Sequence, residues 1–192
     1  MTHPHKPLPQ RKSPRLQGYD YAQSGAYFVT ICTHQRLHLF GQVIDDTMVL
    51  SKAGEIAASR WQAIPEHHPH VELDAFVIMP NHMHGIIVIT DNVGTGPALS
   101  ENTKQRTTQA LSLQSQSQDN KSSKARSLST IIGSYKSGVT RRIRNALNTP
   151  NSVIWQSRYH DHIIRDENEL HYIRRYILYN PALWEADKFY TP

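Results

Sequence analysis

Apolar positions in the first part of the chain follow two different periods. Residues 26–33 are rich in β-branched and aromatic side chains, which predicts a strand. From Lys52 the apolar residues recur at helical spacing as far as Ile64. Proline cannot continue a helix, so Pro65 marks its predicted end.

The next two apolar runs have the length of strands. They cover 71–79 and 84–90, and Pro80 and Asn81 between them form a turn signal. This spacing is short enough for an antiparallel hairpin.

The C-terminal part alternates between the same two element types. Helical spacing over 128–146 predicts a helix of about five turns. Residues 153–164 predict a last strand, and Asp166 or Asn168 can cap a final helix that ends at about Asn180. The order strand, helix, strand, strand, helix, strand, helix predicts an α+β fold, with helices packed on an antiparallel sheet. This arrangement resembles the ferredoxin-like and RNA-recognition-motif topologies.

Two segments lack such a period. Residues 1–19 contain no acid and carry four basic residues among four prolines, which predicts a flexible arm that is either solvated or follows phosphates. In 93–126, 17 of 34 residues are Ser, Thr, Asn or Gln, which predicts a flexible polar insertion. The insertion interrupts a single domain over 20–192.

Composition indicates a class of binding partner and a cellular compartment. The net charge of +5 suits a polyanion. The lone cysteine, Cys32, excludes an internal disulfide and lies in an apolar run, so we expect a buried thiol in a reducing cytosol. No apolar run approaches the roughly 20 residues of a membrane span. The expected protein is cytoplasmic and nucleoid-associated, without a membrane partner, and is a monomer or a homodimer.

The sharpest chemical feature is a pair of histidines two residues apart. On a strand His82 and His84 project to the same face, while Met83 points away into the core. Two imidazoles at this separation can bind one metal ion. Two ordinary surface histidines, in a chain that holds twelve, are the alternative.

A second feature lies on the last predicted helix. Tyr176 and Asn180 are four residues apart and therefore share a face. Tyr176 can act as a phenol nucleophile, and Asn180 can offer an amide oxygen to a cation. Two imidazoles with an amide oxygen suit Mg²⁺ or Mn²⁺ better than a structural Zn²⁺. Alternatively, Tyr176 is a packing aromatic and Asn180 a helix terminator.

Four motifs, in order, resemble the HUH tyrosine transposases, in particular their REP-associated branch, which is related to single-strand insertion-sequence transposases. They are Gly25–Thr30 (GAYFVT), Met79–Gly85 (MPNHMHG), Trp155–Tyr159 (WQSRY) and Tyr176–Pro181 (YILYNP). The resemblance spans roughly residues 15–190. Insertion-sequence relatives often carry Gln where this chain has Asn180, so the shorter side chain favours the REP-associated branch.

The resemblance implies a set of roles. His82 and His84 would form the HUH pair, Tyr176 the nucleophile and Asn180 the third metal ligand. A 5′-phosphotyrosine link to single-stranded DNA would form beside a DNA hairpin, without ATP. Phosphate contacts would come from basic side chains, for which the candidates are Lys136, Arg141, Arg142, Arg144 and Arg158. His160 and His162 also fall near a family motif, and His162 is a candidate DNA contact or supporting residue.

Three alternatives share parts of this pattern. A replication initiator or relaxase uses HUH chemistry, but relaxases usually place the tyrosine before the histidines. A non-enzymatic module for single-stranded nucleic acid needs only the sheet and the charge. A domesticated, inactive transposase would keep the residues without the activity. Tyr135 is a competing nucleophile in principle, but its place in an apolar helical stripe predicts a core residue.

Overall fold

The computed structural model describes residues 19–91 and 126–190, which form a four-stranded antiparallel sheet with helices on both faces. In these two ranges the strands are β1 (Gly25–Cys32), β2 (Gly41–Ile44), β3 (Thr47–Leu50), β4 (Val71–Met79), β5 (His82–Ile89) and β6 (His160–Ile164). The α-helices of the same ranges are α1 (Lys52–Gln62), α2 (Ile64–His67), α3 (Leu128–Ala146) and α4 (Glu167–Tyr179). The sheet order is β4-β5-β1-β6, and β2 and β3 form a separate hairpin.

This architecture confirms the predicted α+β class. Without the small hairpin, the elements follow the order strand, helix, strand, strand, helix, strand, and β1 lies inside the sheet between β5 and β6. That order and pairing give the predicted ferredoxin-like arrangement, to which the chain adds the final helix α4.

One element was missed and two predicted boundaries were wrong. The β2–β3 hairpin was not predicted, because its two strands have only four residues each. The predicted strand over 153–164 is regular only over 160–164, since Trp155 makes a single bridge to Thr33 before the pairing with β1 begins. The second predicted hairpin strand begins at His82 rather than His84.

Alternating residues of the central strands build two separate cores. Tyr27, Val29 and Ile31 of β1 are buried on the face that packs against α1 and α3. Met83 is buried in the same core, as predicted. The opposite face packs against α4 through a smaller cluster that includes Ile86. The histidines therefore lie between the sheet and α4.

Gly85 lets α1 approach this strand closely. A Cβ atom at Gly85 would lie 2.4 Å from Cζ2 of the buried Trp61. A side chain would therefore displace the indole that packs directly behind the histidine strand.

A bulge in β4 changes which of its residues face α4. The pairing with β5 shifts between Leu73 and Phe76, so the alternation of faces is reversed beyond this point. Asp74 lies in the bulge, and its carboxylate accepts hydrogen bonds from Arg174 of α4. The ion pair ties the helix to the edge strand of the sheet.

The predicted arm and insertion lie mostly outside the described residues. Of the arm only Tyr19 is described, and of the insertion only Arg126. Arg126 Nη2 donates to the carbonyl of Thr90 at 2.8 Å, so the two ends of the undescribed segment are close together. Cys32 is buried, as predicted. Within 19–91 and 126–190, none of the helices combines the length and apolar character that crossing a membrane requires.

Candidate active site

The two histidines of β5 are buried and face each other. Neither His82 nor His84 is exposed to solvent, and their Nε2 atoms are 3.1 Å apart. Nitrogens that bind one metal ion at about 2.1 Å lie roughly 3.0–3.4 Å apart. The pair thus has the spacing of two ligands of one ion, and the surface alternative for these histidines is wrong.

Hydrogen bonds fix the protonation of His82. Asn81 Nδ2 donates to the backbone carbonyl of Phe189 at 2.9 Å, so Asn81 Oδ1 is the amide atom that faces His82 Nδ1, also at 2.9 Å. An amide oxygen only accepts, so Nδ1 carries a proton and donates. In the neutral ring, the lone pair of Nε2 is then available to a metal.

Burial keeps both rings neutral. It lowers the pKa of His82 to about 4, and it lowers the pKa of His84 well below its usual value. His84 Nδ1 lies 2.8 Å from the hydroxyl of Thr30, its cross-strand partner on β1. Neutral imidazoles are the form that binds a metal.

The proposed nucleophile lies next to this pair. The hydroxyl of Tyr176 is 3.2 Å from His84 Nε2, and it donates to Asp187 Oδ2 at 3.3 Å. Burial and then the charge of Asp187 raise the pKa of Tyr176 to about 12. The competing Tyr135 is buried in the other core, where its hydroxyl donates to the carbonyl of Ala57, so its prediction as a core residue is confirmed.

The chain beyond α4 adds a carboxylate that the sequence analysis missed. A 3₁₀ turn over Pro181–Ala186 buries Trp184 and returns the chain, so that Asp187 meets the histidines. Ligand atoms of His82, His84 and Asp187 all lie within 4.8 Å of one another. This group could hold a metal ion. No periodicity identifies Asp187, because it follows an irregular turn seven residues after Asn180.

Asn180 lies on the same side of the site. It is buried, and its Nδ2 donates to Asp187 Oδ2 at 2.8 Å. Its Oδ1 is buried without a hydrogen-bond partner in the described part of the chain. Burial lowers the pKa of His82, and the Asn180 amide acts in the opposite direction, as a nearby oxygen does. A buried, unsatisfied oxygen beside two neutral imidazoles and a carboxylate fits a divalent cation.

Two positive side chains flank the ring of Phe189, which covers both histidines. The Phe189 and His82 ring centroids are 4.7 Å apart. The guanidinium of Arg36 lies 4.3 Å from the Phe189 centroid and the ammonium of Lys188 4.8 Å from it. Arg36 follows Gln35 in a turn where both have positive φ, a strained conformation that is common at functional sites. These cations give the site a positive border that the sequence analysis did not find.

Four of the five predicted DNA-binding side chains lie on α3, which packs on the other face of the sheet from Tyr176. Arg158 lies in the segment between α3 and β6. Arg141, Arg142 and Arg158 are exposed. Lys136 and Arg144 instead donate to backbone carbonyls of the segment 152–157.

Comparison with known proteins gives a relative by sequence and a neighbour by fold. No family model matches the chain. A REP-associated tyrosine transposase bound to a REP hairpin superposes with a TM-score of 0.50 and 18% identity, over 91% of this chain and 76% of that one. This likeness confirms the resemblance at the level of the fold, and the REP-associated branch stays a prediction.

The sequence relative is considerably more similar. An uncharacterized protein of Haemophilus influenzae is 38% identical over 181 residues, which cover 94% of this chain and 93% of that protein. The chain therefore belongs to the same protein family as this uncharacterized Haemophilus influenzae protein.

Proposed function

We propose that the chain is a metal-dependent tyrosine transposase of the HUH type, which cleaves and rejoins single-stranded DNA through Tyr176. One observation carries the proposal. The Tyr176 hydroxyl lies within 3.3 Å of both His84 Nε2 and Asp187 Oδ2, atoms of two residues in the metal-capable group. A phenol at that position has the geometry of a nucleophile beside a cation.

In the proposed reaction, the Tyr176 oxygen attacks the scissile phosphorus and the bond from phosphorus to the 3′ oxygen breaks. The phenol proton moves first to Asp187 Oδ2, which already accepts it as a hydrogen bond, and ends on the leaving 3′ oxygen. The products are a 5′-phosphotyrosine and a free 3′-hydroxyl. Attack by another 3′-hydroxyl reverses the step and joins strands.

We assign the metal ligands to His82, His84 and Asp187, with Asn180 as an additional ligand through its orphaned Oδ1. When bound, Mg²⁺ or Mn²⁺ would supply positive charge that polarises the phosphate and favours the phenolate. Nitrogen and oxygen donors together favour Mn²⁺ somewhat over Mg²⁺. Arg36 and Lys188 add charge that attracts the phosphate.

The proposed DNA partner is a single strand next to a hairpin. The solved transposase with the same fold is bound to a REP hairpin, which supports this choice of partner. Exposed Arg141, Arg142 and Arg158 are the best candidates for hairpin phosphates. The other two predicted contacts, Lys136 and Arg144, already hold a segment of the chain.

The test is incubation with labelled single-stranded DNA from the flanks of its own gene, with Mg²⁺ or Mn²⁺. Wild-type protein should form a covalent adduct, and Tyr176→Phe should bind the DNA without forming it. Tyr179→Phe is the matched control, because it removes a half-exposed hydroxyl from the same helix. An undiminished adduct in Tyr176→Phe would end the assignment and make Tyr172 the next candidate.

The metal is tested in the same assay. His82→Ala, His84→Ala and Asp187→Ala should each lose cleavage, and a chelator should stop wild-type cleavage reversibly. Full activity in excess chelator contradicts the mechanism. DNA binding without any adduct, in the presence of metal, would instead favour the non-enzymatic module.

A further inference from the structure

A cavity of about 500 Å³ opens beside Tyr176, between β1, β6 and α4. Its apolar wall is formed by Phe28, Tyr172, Ile173, Leu183 and Ala186. Polar groups also line it, among them His162, Glu169 and Lys188. A mostly apolar cavity with a few polar groups is the usual form of a site for a flat organic group.

Tyr172 gives this cavity an open aromatic face. It lies one helical turn before Tyr176, on the same side of α4, and 72% of it is exposed. It also lines a second groove, with Arg175 and Tyr179, that reaches Tyr176 from the other side. An exposed ring therefore separates two grooves that meet at the proposed nucleophile.

His162 gives the cavity a fixed polar contact. It is the cross-strand neighbour of Phe28, and its Nε2 donates to Glu169 Oε1 at 2.6 Å. Glu169 is itself held, because it accepts from the backbone N–H of Arg165 and donates its own N–H to Asp166 at the start of α4. Since Nε2 is engaged by a carboxylate, Nδ1 is the ring atom that can take a ligand.

We propose that this cavity binds the base of the nucleotide next to the scissile phosphate, stacked on Tyr172 and contacted by His162. The inference rests on the proposed function, because the cavity is defined by its place beside Tyr176. A strand whose phosphate reaches Tyr176 must unstack the adjacent base, and an aromatic ring compensates for the lost stacking. The carboxylates of Glu169 and Asp187 also line the cavity, where they accept hydrogen bonds from His162 and Asn180. Positive charge for the flanking phosphates comes from Lys188 in this cavity and from Arg175 in the next groove.

Binding is measured in Tyr176→Phe protein, so that no chemistry intervenes. The probe is a fluorescent single strand from the gene flanks, made as a series with one abasic site at each position. Stacking of one base corresponds to about a 5- to 150-fold change in affinity. Tyr172→Ala should lose this factor on the intact strand, and Tyr172→Phe should keep it. Leu178→Ala, with the same exposure on the same helix, is the control and should bind normally.

The decisive result is that the effect of removing one base depends on whether Tyr172 is present. In protein that keeps Tyr172, an abasic site at one position of the strand should weaken binding by the same factor as Tyr172→Ala does. In Tyr172→Ala protein, the abasic site at that position should have little further effect on affinity. That position should adjoin the phosphate at which the wild-type adduct forms, and His162→Ala should reduce the differences between the four bases there. If the covalent adduct forms but no abasic position depends on Tyr172, the base site is wrong and the proposed cleavage stands. If one abasic position depends on Tyr172 but no adduct forms, the proposed cleavage is wrong and the base site is supported.

Discussion

The two imidazoles of the site meet through their Nε2 nitrogens, and a neighbouring residue fixes the tautomer of His82. Burial removes the second proton from each ring, and Asn81 directs the remaining proton of His82 to Nδ1. The two Nε2 atoms then face each other at 3.1 Å, an arrangement that a cation between them stabilises. Residues that contact metal ligands commonly change metal affinity about 10–100-fold when they are altered.

Asn81 is therefore expected to control metal affinity without touching the metal. Asn81→Ala should weaken Mn²⁺ binding by about 10–100-fold, because His82 loses the acceptor that fixes its tautomer. Asn81→Asp should recover most of the affinity, since a carboxylate also accepts from Nδ1. Calorimetric titration with Mn²⁺ measures the effect, and circular dichroism checks the fold. Equal losses in both variants would show that Asn81 acts only through the backbone contact to Phe189.

The sequence revealed part of this site because part of it is periodic. The alternation at His82, Met83 and His84 and the spacing of Tyr176 and Asn180 each follow from the geometry of one element. Asp187 follows no such rule, since an irregular turn brings it back to the histidines. Asn81 was recognised only as a turn residue, because the hydrogen bond that orients its amide is made to Phe189, 108 residues away.

At the scale of elements, the position of Tyr176 depends on how α4 is fastened to the sheet. Ile173 and Ile177 are buried against the sheet, and Arg174 binds Asp74 of the β4 bulge through two of its nitrogens. Asp166 immediately precedes the helix, and its side chain accepts from the N–H of Glu169 and so caps it. A capping residue at 166 or 168 predicted the helix, but the bulge that brings Asp74 opposite Arg174 has no clear signal in the sequence.

Removal of the Asp74 charge should loosen this attachment in a pH-dependent way. The pKa of Asp74 is lowered, first by the hydrogen bonds from Arg174. The pKa of Asp74 in the folded state therefore lies below the unfolded value of about 3.9. Above that pH the Asp74–Arg174 ion pair stabilises the folded state fully, and this stabilisation is lost as the pH falls through the folded pKa.

Asp74→Asn should accordingly lower the free energy of unfolding by about 0.5–1 kcal/mol near neutral pH, a small value because Arg174 is partly exposed. The difference from wild type should stay constant above about pH 5 and shrink below about pH 4. Urea unfolding at several pH values measures it. A difference that persists at the lowest pH would mean that shape rather than charge matters at this position.

At the scale of the whole molecule, we expect the long polar segment to be separable from the site. Thr90 and Arg126 hydrogen-bond across its two ends, next to the start of α3 and far from the histidines along the sheet. Replacement of residues 93–125 by about six Gly and Ser residues, a usual loop length, should therefore preserve the fold and Mn²⁺ binding. Thermal unfolding and metal titration test this prediction. A domain that no longer folds after the deletion would contradict it.

Among the described residues, exposed or site-lining basic side chains lie on both faces of the sheet. Arg36 and Lys188 lie at the metal-capable group, whereas Arg141 and Arg142 are exposed on α3, across the sheet from it. If DNA extends from Tyr176 to a hairpin that is bound on the α3 face, Arg141 and Arg142 should affect DNA affinity without affecting strand cleavage. Each phosphate contact contributes about 0.7 for single strands, or about 0.9 for duplex stems, to the slope of log affinity against log salt.

Replacing Arg141 and Arg142 with Ala should therefore weaken hairpin binding and flatten that slope by about one to two units, while Mn²⁺ binding stays intact. Lys52→Ala is the control, because this exposed lysine is already paired with Glu55 and its loss should leave the slope unchanged. Salt titrations of each variant on one hairpin oligonucleotide give the slopes. An unchanged slope in the double variant would identify the two arginines as surface charges without a DNA contact, and the hairpin would then have to bind on the face that carries Tyr176.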